Sequence, residues 1–243
     1  MTGDVKIDNP PKINKLADAH ELRSFGRRRG RKLRARQTQH VEQLLPRLSL
    51  DLAQPTPRPL TEIFDSRVSD VWLEIGFGGG EHLLWQAAHN PQIGIIGCEP
   101  FLDGIVKVLD GVEANNLENI RLHADDARDV LRCLPDGSLG RVFILFPDPW
   151  PKKRHHKRRL VNVALLRQLA RVMRPGGVLR LGTDIGDYAA DMLAAVNDSG
   201  MFNWLARHCG DWRIRPSDWP QTRYEQKADR EGRSSYYLCF ERR

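Results

Sequence analysis

The sequence predicts an α/β protein with a doubly wound, mostly parallel sheet of seven strands. Short apolar runs alternate with amphipathic segments of helical spacing from Val71 onward, which is typical of repeated strand–helix units. A glycine-rich turn follows the first apolar run, as in nucleotide-binding sheets. No helix is predicted between the last two runs, so we expect them to pair antiparallel at one edge of the sheet.

The individual elements follow from hydrophobic periodicity and from the glycine and proline residues between them. The predicted strands are 71–75, 93–99, 120–123, 142–146, 178–183, 204–208 and 235–241. The predicted helices are 41–50, 81–89, 101–116, 127–134, 159–174 and 188–197. In the helix 101–116, one face carries the apolar side chains Ile105, Val108, Leu109 and Val112. Residues 222–225 are predicted to lie in a polar loop.

Length and composition favour one large globular domain. The chain has 243 residues, of which 40% are hydrophobic and 28% charged, as expected of a soluble protein. It contains no apolar run of the roughly 18 residues that cross a bilayer and no apolar secretion core near Met1, so we expect a cytoplasmic protein without a membrane partner. The four cysteines are far apart, which favours reduced thiols over a disulfide or metal framework.

The net charge of +7 is concentrated at one end of the chain. Residues 1–40 contain 11 Lys and Arg against 4 Asp and Glu, whereas the two signs balance in residues 41–243. We therefore predict a basic, flexible arm (1–40), whose later part orders on RNA or on the body, before a catalytic domain (41–243). Without an accompanying apolar face, the arm favours a nucleic acid over a membrane.

A second basic cluster follows the strand predicted at 142–146. The strand leads into Asp148, which lies between two prolines, and then into Trp150. Six cationic residues and two histidines occupy the eight positions from Lys152 to Arg159. An acid, an aromatic ring and a cationic run in this order are typical of a site that binds part of a nucleic acid, although a solvated helix start has the same composition. Trp150 is open to two interpretations, a ring that stacks on a base or an anchor in the core.

The glycine turn and three strand-end acids predict the cofactor. Gly76, Gly78 and Gly80 form a G-x-G-x-G pattern, and Glu81 stands where a dinucleotide fingerprint needs glycine. Glu99 ends the second strand, where an acid binds both ribose hydroxyls. The other two acids are Glu74 and Asp126. Carboxylates without a phosphate-binding lysine suit the cationic S-adenosylmethionine better than NAD.

Several motifs together resemble one known family. They are E-I-G-F-G-G-G-E from Glu74, F-P-D-P-W-P-K-K-R-H-H-K-R-R from Phe146, G-T-D from Gly182 and T-R-Y-E from Thr222. In order and spacing, residues 60–243 are similar to the bacterial tRNA (guanine-N7)-methyltransferases. The resemblance implies a Rossmann-like enzyme that transfers a methyl group from S-adenosylmethionine to N7 of guanosine 46 in the variable loop of tRNA. The sequence leaves open whether the active form is a monomer or a homodimer.

The resemblance also implies roles for individual residues. Asp148 is expected to be catalytic and to lie on the cofactor side, together with Glu74, Gly76, Gly78, Gly80, Glu99 and Asp126. The residues expected to bind the substrate are Lys152, Arg154, His155, His156, Lys157, Arg158, Arg159, Asp184, Thr222, Arg223, Tyr224 and Glu225. No metal ligand is expected. An amino-methyltransferase and an RNA-binding protein with a degenerate pocket remain as alternatives, the first weakened by Trp150 in place of a second proline.

Overall fold

The computed structural model describes residues 28, 30, 32–53, 56 and 59–243. In this part of the chain seven strands form one sheet: β1 Asp70–Ile75, β2 Ile93–Cys98, β3 Ile120–His123, β4 Leu139–Leu145, β5 Met173–Thr183, β6 Phe202–Trp204 and β7 Tyr236–Arg242. Their order is β3-β2-β1-β4-β5-β7-β6. The first five are parallel, and β7 runs antiparallel to both β5 and β6. The predicted fold class is therefore confirmed.

Helices cover both faces of this sheet. They are α1 Ala35–Gln39, α2 Leu45–Leu48, α3 Glu81–His89, α4 Leu102–Asn115, α5 Ala127–Cys133, α6 Val163–Val172, α7 Gly186–Ser199, α8 Gly210–Arg213 and α9 Arg223–Arg230. A π-helical turn, His40–Leu44, joins α1 to α2, and single 3-10 segments span Leu60–Ile63 and Lys153–Arg158. No helix in these described ranges is long and apolar enough to cross a membrane.

The strands at the centre are apolar at consecutive positions because both of their faces are covered. In β4, Val142 and Ile144 pack in one hydrophobic cluster and Phe143 and Leu145 in the other. The two clusters thus occupy opposite faces, as the two-residue period of a strand requires. The apolar face predicted for α4 is confirmed, since Ile105, Val108, Leu109 and Val112 are all buried in the second cluster.

Two predictions for the C-terminal third are wrong. The strand expected at 204–208 lies at Phe202–Trp204, and α8 and α9 stand between it and β7. Residues 222–225 do not lie in a loop, because Thr222 caps α9 and Glu225 is its third residue. The Thr222 side chain accepts from the Glu225 amide, and the Glu225 side chain accepts from the Thr222 amide. This reciprocal capping box starts the helix there.

The end of the basic arm packs on the body of the protein. Most of residues 1–40, including 1–27, lie outside the described residues, so the predicted flexibility of the arm stays a prediction. The carbonyl of Arg28 accepts a hydrogen bond from the Leu102 amide at the start of α4 (3.2 Å). Arg36 forms an ion pair with Glu113 at the other end of α4 (2.7 Å). Among the described residues, α1 precedes the predicted helix start at residue 41.

The topology places the ends of the central strands in one crevice. The parallel strands β3, β2, β1, β4 and β5 all end at the same edge of the sheet. In the sheet, β1 has β2 as its neighbour on one side and β4 on the other. The loops that follow β1 and β4 therefore lead away in opposite directions and leave a crevice between the two strand ends. Such a switch point is where open α/β sheets bind ligands.

One glycine of the first turn is required by packing as well as by backbone geometry. Gly80 has φ 79°, and a Cβ built on it would lie 2.2 Å from Cγ2 of Val108 in α4. Gly200, which ends α7, has φ 66° but nothing within 4 Å of a Cβ. Both positions favour glycine because left-handed backbone costs other residues about 1–2 kcal/mol, and Gly80 alone adds a steric overlap.

We predict that Gly80→Ala lowers the free energy of unfolding by about 3 kcal/mol and Gly200→Ala by about 1 kcal/mol. Urea denaturation of the two variants beside the parent protein measures both losses. Equal losses would show that the approach of α4 to the turn can relax without cost.

Candidate active site

The glycine turn after β1 is tied to the end of β2 by one carboxylate. Glu99, which is buried, accepts hydrogen bonds from the amide of Gly78 (2.8 Å) and from that of Phe101 (2.9 Å). Gly76 has φ 75°, and a Cβ built on it would meet nothing within 4 Å. The turn therefore exposes bare backbone at Gly76 while Glu99 holds its other end, which is the arrangement that lets a ligand approach the main chain.

Glu74, in β1, is turned toward the helix behind the turn. Its Oε2 lies 2.8 Å from Nδ1 of His82, and Nε2 of His82 lies 3.1 Å from the Gln86 amide nitrogen. All three side chains are buried. A satisfied buried network of this kind fixes the position of α3 against β1. Glu74 thus supports the turn from below in this structure.

Asp126 begins α5 at the rim of the same crevice. Its side chain accepts a hydrogen bond from the Arg128 amide (3.0 Å), which makes it the N-cap of the helix. The neighbouring Asp125 is bound by both terminal nitrogens of Arg28, at 2.7 and 3.2 Å. The end of the basic arm therefore lies beside the acid that the sequence assigned to the cofactor, a contact that sequence reasoning missed.

The loop after β4 carries Asp148 on a strained backbone. Phe146 and Trp150 have φ values of 51° and 46°, in the left-handed region that residues with a Cβ rarely adopt. The Phe146 amide donates to the carbonyl of Gly182 in β5 (2.7 Å). Strain of about 1–3 kcal/mol per residue persists only where surrounding contacts enforce it, and it concentrates at functional sites. Asp148 itself is exposed at the edge of the sheet.

The start of α9 closes the crevice from the opposite side. A Cβ on Gly78 would lie 3.1 Å from the ring of Tyr224, so this ring covers the glycine turn. The same ring is nearly parallel to that of Phe146, with 6.5 Å between centroids. Arg223 forms an ion pair with Glu81 at the start of α3 (3.3 Å). Tyr224 thus bridges the glycine turn and the loop of Asp148, although the sequence assigned it to the substrate alone.

The carboxylates of the crevice influence one another electrostatically. Burial raises the pKa of Glu99, and the charges of Asp148 and Glu74 act in the same direction, whereas the amides of Phe101 and Gly78 lower it. Burial also raises the pKa of Tyr224, with Arg223 opposing and Glu99 and Asp148 reinforcing the shift. Asp148 follows β4 and Glu99 follows β2, yet the charges of both carboxylates raise the pKa of Tyr224. The two acids therefore lie close to the same part of the crevice.

The basic run after Trp150 has an outward and an inward face. The exposed residues are Lys152, Lys153, Arg154 and Lys157. Trp150 is half-buried and belongs to neither hydrophobic cluster. The guanidinium of Arg158 lies 4.9 Å from its ring centroid, and His155 meets the ring edge-on at 6.0 Å. Trp150 is therefore not a core anchor.

Arg159 and His156 face the body of the protein. Arg159 is only 4% exposed, and its guanidinium contacts Asp187 and Asp191 of α7. The His156 ring nitrogens lie 3.7 and 3.8 Å from the same two carboxylates. The sequence predicted that the whole run from Lys152 to Arg159 binds substrate. The burial and the internal contacts of Arg159 do not support this prediction for that residue.

The remaining expected substrate residues are held by partners that the sequence did not suggest. Asp184, after β5, is bound by Arg233 through Nε (2.8 Å) and Nη2 (2.7 Å). Glu225 is 1% exposed, and besides the Thr222 amide it accepts a hydrogen bond from the hydroxyl of Tyr237 (2.8 Å). Thr222 and Glu225 thus fix the start of α9 through buried hydrogen bonds. Asp184, by contrast, lies at the edge of the crevice, where Arg233 binds it.

We predict that Tyr237→Phe lowers the free energy of unfolding by about 1–3 kcal/mol, because one oxygen of the buried Glu225 loses its donor. Burial raises the pKa of the Tyr237 phenol, and the hydrogen bond to Glu225 adds to this shift, so the hydroxyl stays a donor at neutral pH. Tyr236→Phe is the matched control, since that ring stacks on Trp212 on the other side of β7. Equal denaturant midpoints for the two variants would contradict the assigned role of Glu225.

Comparison with known proteins identifies the family to which the sequence is similar. Residues 69–238 match the sequence family described as "Putative methyltransferase". The tRNA (guanine-N(7)-)-methyltransferase of Rhizobium meliloti (strain 1021) is 48% identical over 218 residues, which cover 90% of this chain and 94% of that protein. That of Ruegeria sp. (strain TM1040) is 46% identical over 243 residues, covering 98% of this chain and 95% of that protein.

Solved structures share the fold at much lower sequence identity. The 16S rRNA methyltransferase KamB superposes with a TM-score of 0.53 at 18% identity, over 78% of this chain and 96% of that one. An antibiotic-related methyltransferase gives 0.51 at 15% identity, over 73% and 89%. These two likenesses concern the Rossmann-like methyltransferase fold alone. The near full-length identity to the sequence relatives goes further: this chain belongs to the tRNA (guanine-N(7)-)-methyltransferase family.

Proposed function

We propose that this protein transfers a methyl group from S-adenosylmethionine to N7 of a guanosine in tRNA, at position 46 of the variable loop. The relatives named above carry this activity in their names. The proposal depends on one arrangement in the chain itself: Asp148 lies between the glycine turn and a run of exposed cations. Because tRNA is the substrate, we expect the protein to work in the cytoplasm.

The residues around the glycine turn fit S-adenosylmethionine. Gly76 leaves its backbone open to a ligand, and the Glu99 carboxylate at the end of β2 is placed to accept from ribose hydroxyls. Asp126, at the rim, suits the adenine end. The set has acids, and the amides of Gly76, Gly78 and Gly80 are already bonded to Cys98, Glu99 and Phe77, so that few donors are left for a phosphate and a cation is favoured over a pyrophosphate. Glu74, turned to His82, is assigned to supporting the turn. When bound, S-adenosylmethionine supplies an activated methyl group on a sulfonium.

The chemistry at guanine N7 needs no general base. N7 carries an in-plane lone pair and no proton, so catalysis depends on alignment and on electrostatic stabilisation. The purine gains positive charge as it takes the methyl group. A fixed carboxylate beside it stabilises that charge and accepts hydrogen bonds from guanine N1–H and N2–H. We assign this role to Asp148, which is exposed in the loop after β4.

The second acceptor for guanine is Asp184 rather than Glu225. Both were candidates from the sequence, but Glu225 is only 1% exposed and is held between the capping box and Tyr237, so its carboxylate is not accessible to a base. Asp184 follows β5, the strand whose Gly182 carbonyl binds the Phe146 amide. Its carboxylate therefore belongs to the same end of the crevice as Asp148, and Arg233 orients it.

The exposed cations form the RNA-binding face. Lys152, Lys153, Arg154 and Lys157 follow Asp148 directly and face solvent, so phosphates bound by them bring a nearby base to the crevice. Reaching N7 from the coenzyme side requires that the base leave its stack. Half-buried and already in contact with Arg158, Trp150 offers an aromatic ring on which that base can stack.

The decisive experiment treats unmodified tRNA with the protein and S-adenosylmethionine. Reduction and aniline cleavage then break the RNA at 7-methylguanosine and map the modified position. Cleavage at position 46 is expected. An RNA-binding protein with a degenerate pocket would bind tRNA but neither bind labelled cofactor nor yield this cleavage.

We predict that Asp148→Asn lowers kcat by about 10²–10³-fold, the effect of removing one preorganised electrostatic group. Its dissociation constant for S-adenosylmethionine should change less than about threefold, because Glu99 and the glycine turn remain. Single-turnover methylation and calorimetric cofactor binding measure the two quantities. Losses of the same size in both would make Asp148 a cofactor ligand only.

We predict that the affinity for S-adenosylmethionine decreases as the pH is lowered and Glu99 takes up a proton. The pKa of Glu99 is raised, so this loss begins above the usual value for glutamate, about 4.3. A raised carboxyl pKa means that the folded state binds this proton more tightly than the unfolded state. Protonating Glu99 therefore does not unfold the protein, and affinity falls while the fold persists.

The matched variant for this prediction is Glu99→Gln. It should bind the cofactor more weakly at neutral pH and lose the part of the pH dependence that belongs to this carboxyl. Calorimetric titrations between neutral pH and about pH 5 compare the two proteins. Parallel pH profiles would assign the dependence to another group.

A further inference from the structure

Arg159 is the end of the basic run, yet the polar contacts of its guanidinium are internal. Nε donates to the carbonyl of Pro149 (2.9 Å), the residue directly after Asp148. Nη2 donates to Oδ2 of Asp187 (2.6 Å), and Nη1 contacts Asp191. The guanidinium carbon lies 4.8 Å from the ring centroid of Tyr188. One side chain thus links the loop of Asp148 to α7.

The hydrogen bond from Arg159 to Pro149 lies in the part of the loop whose backbone conformation is strained. Phe146 and Trp150 hold left-handed backbone on either side of Asp148, so the loop relaxes toward other conformations unless it is held. At its start, the Phe146 amide binds Gly182. At its end, the Pro149 carbonyl binds Arg159. These two hydrogen bonds fasten the backbone just before and just after the carboxylate.

Only an arginine meets all of these contacts. The planar guanidinium presents donors in several directions at once and stacks on an aromatic ring, whereas a lysine ammonium is a single point of charge. Asp187 and Asp191 lie one turn apart on α7 and hold opposite ends of the fork. The hydrogen bond from Arg159 is the largest effect that lowers the pKa of Asp187, so Asp187 stays ionised beside Arg159 at neutral pH.

We propose that Arg159 is a positioning residue for Asp148, holding the Pro149 carbonyl and so the direction of the carboxylate, and that it takes no part in binding RNA phosphates. This inference rests on the proposed function, since the role of Asp148 defines what is positioned. The basic run then has two separate roles, because the exposed Arg154 and Lys157 bind RNA while Arg159 shapes the loop.

The test is Arg159→Lys, which keeps the charge and removes the fork. We expect kcat to fall by about 10- to 100-fold, the cost of displacing a catalytic group by about 1 Å. The dissociation constant for tRNA and its slope against salt concentration should stay within about twofold, because no phosphate contact is lost. Arg167→Lys, the same exchange at an exposed position of α6 outside the basic run, should retain kcat.

Arg154→Ala shows that the salt measurement is sensitive, because losing one phosphate contact should lower the slope by about 1. A lower salt slope in Arg159→Lys, with kcat retained at saturating tRNA, would overturn the proposal. Failure of the unaltered protein to form 7-methylguanosine would instead overturn the proposed function, so the two failures are distinct.

A second variant decides the matter if Arg159→Lys does not fold. Asp187→Asn changes a carboxylate that is 64% exposed and leaves the rest of the fork in place. It should lower kcat less than Arg159→Lys does, with unchanged tRNA affinity and unchanged cofactor binding. An Asp187→Asn enzyme with unaltered kcat would contradict a role for this ion pair in positioning Asp148.

Discussion

The site depends on the hydrogen bonds that Glu99 accepts from Gly78 and Phe101. They join the turn after β1 to the start of α4, so the glycine turn cannot move without α4. The same carboxylate is left close to the charges of Asp148 and Glu74, and its raised pKa reflects that burial and crowding. The carboxylate that holds the backbone in place is also the one proposed to bind the ribose, so this proposal couples the shape of the crevice to its ligand.

Asp148 is held by quite different means. Its loop has left-handed residues before and after it, and backbone hydrogen bonds to Gly182 and Arg159 enforce that geometry. The glycine turn adopts positive φ at little cost because its residues lack a Cβ, whereas Phe146 and Trp150 are bulky. The crevice therefore combines one wall that is intrinsically permissive with one that is strained and kept in place by its neighbours.

The sequence predicted the elements whose periodicity is strong and whose partners are local. The apolar runs of β1 to β5 and the face of α4 carry such signals, and the motifs around Gly76 and Asp148 located the crevice. Residues 222–225 were predicted to lie in a loop because the segment is almost entirely polar and lacks an apolar stripe, although the spacing of Thr222 and Glu225 also fits a capping box. The inward direction of Arg159 could not be read from a run of like charges, since it depends on Asp187 and Asp191, some 30 residues further along.

The position of β7 has a consequence for how the chain folds during its synthesis. β7 lies between β5 and β6, and it is the partner through which the short strand β6 joins the sheet. During synthesis on the ribosome, one edge of β5 therefore stays unpaired until the segment up to β7 has been made. Until then, β6 also lacks the strand with which it pairs. Open strand edges attract other chains. The crevice at β1 and β4 can form early in this interval, whereas Tyr237, which donates to Glu225 beneath α9, arrives only with the last strand.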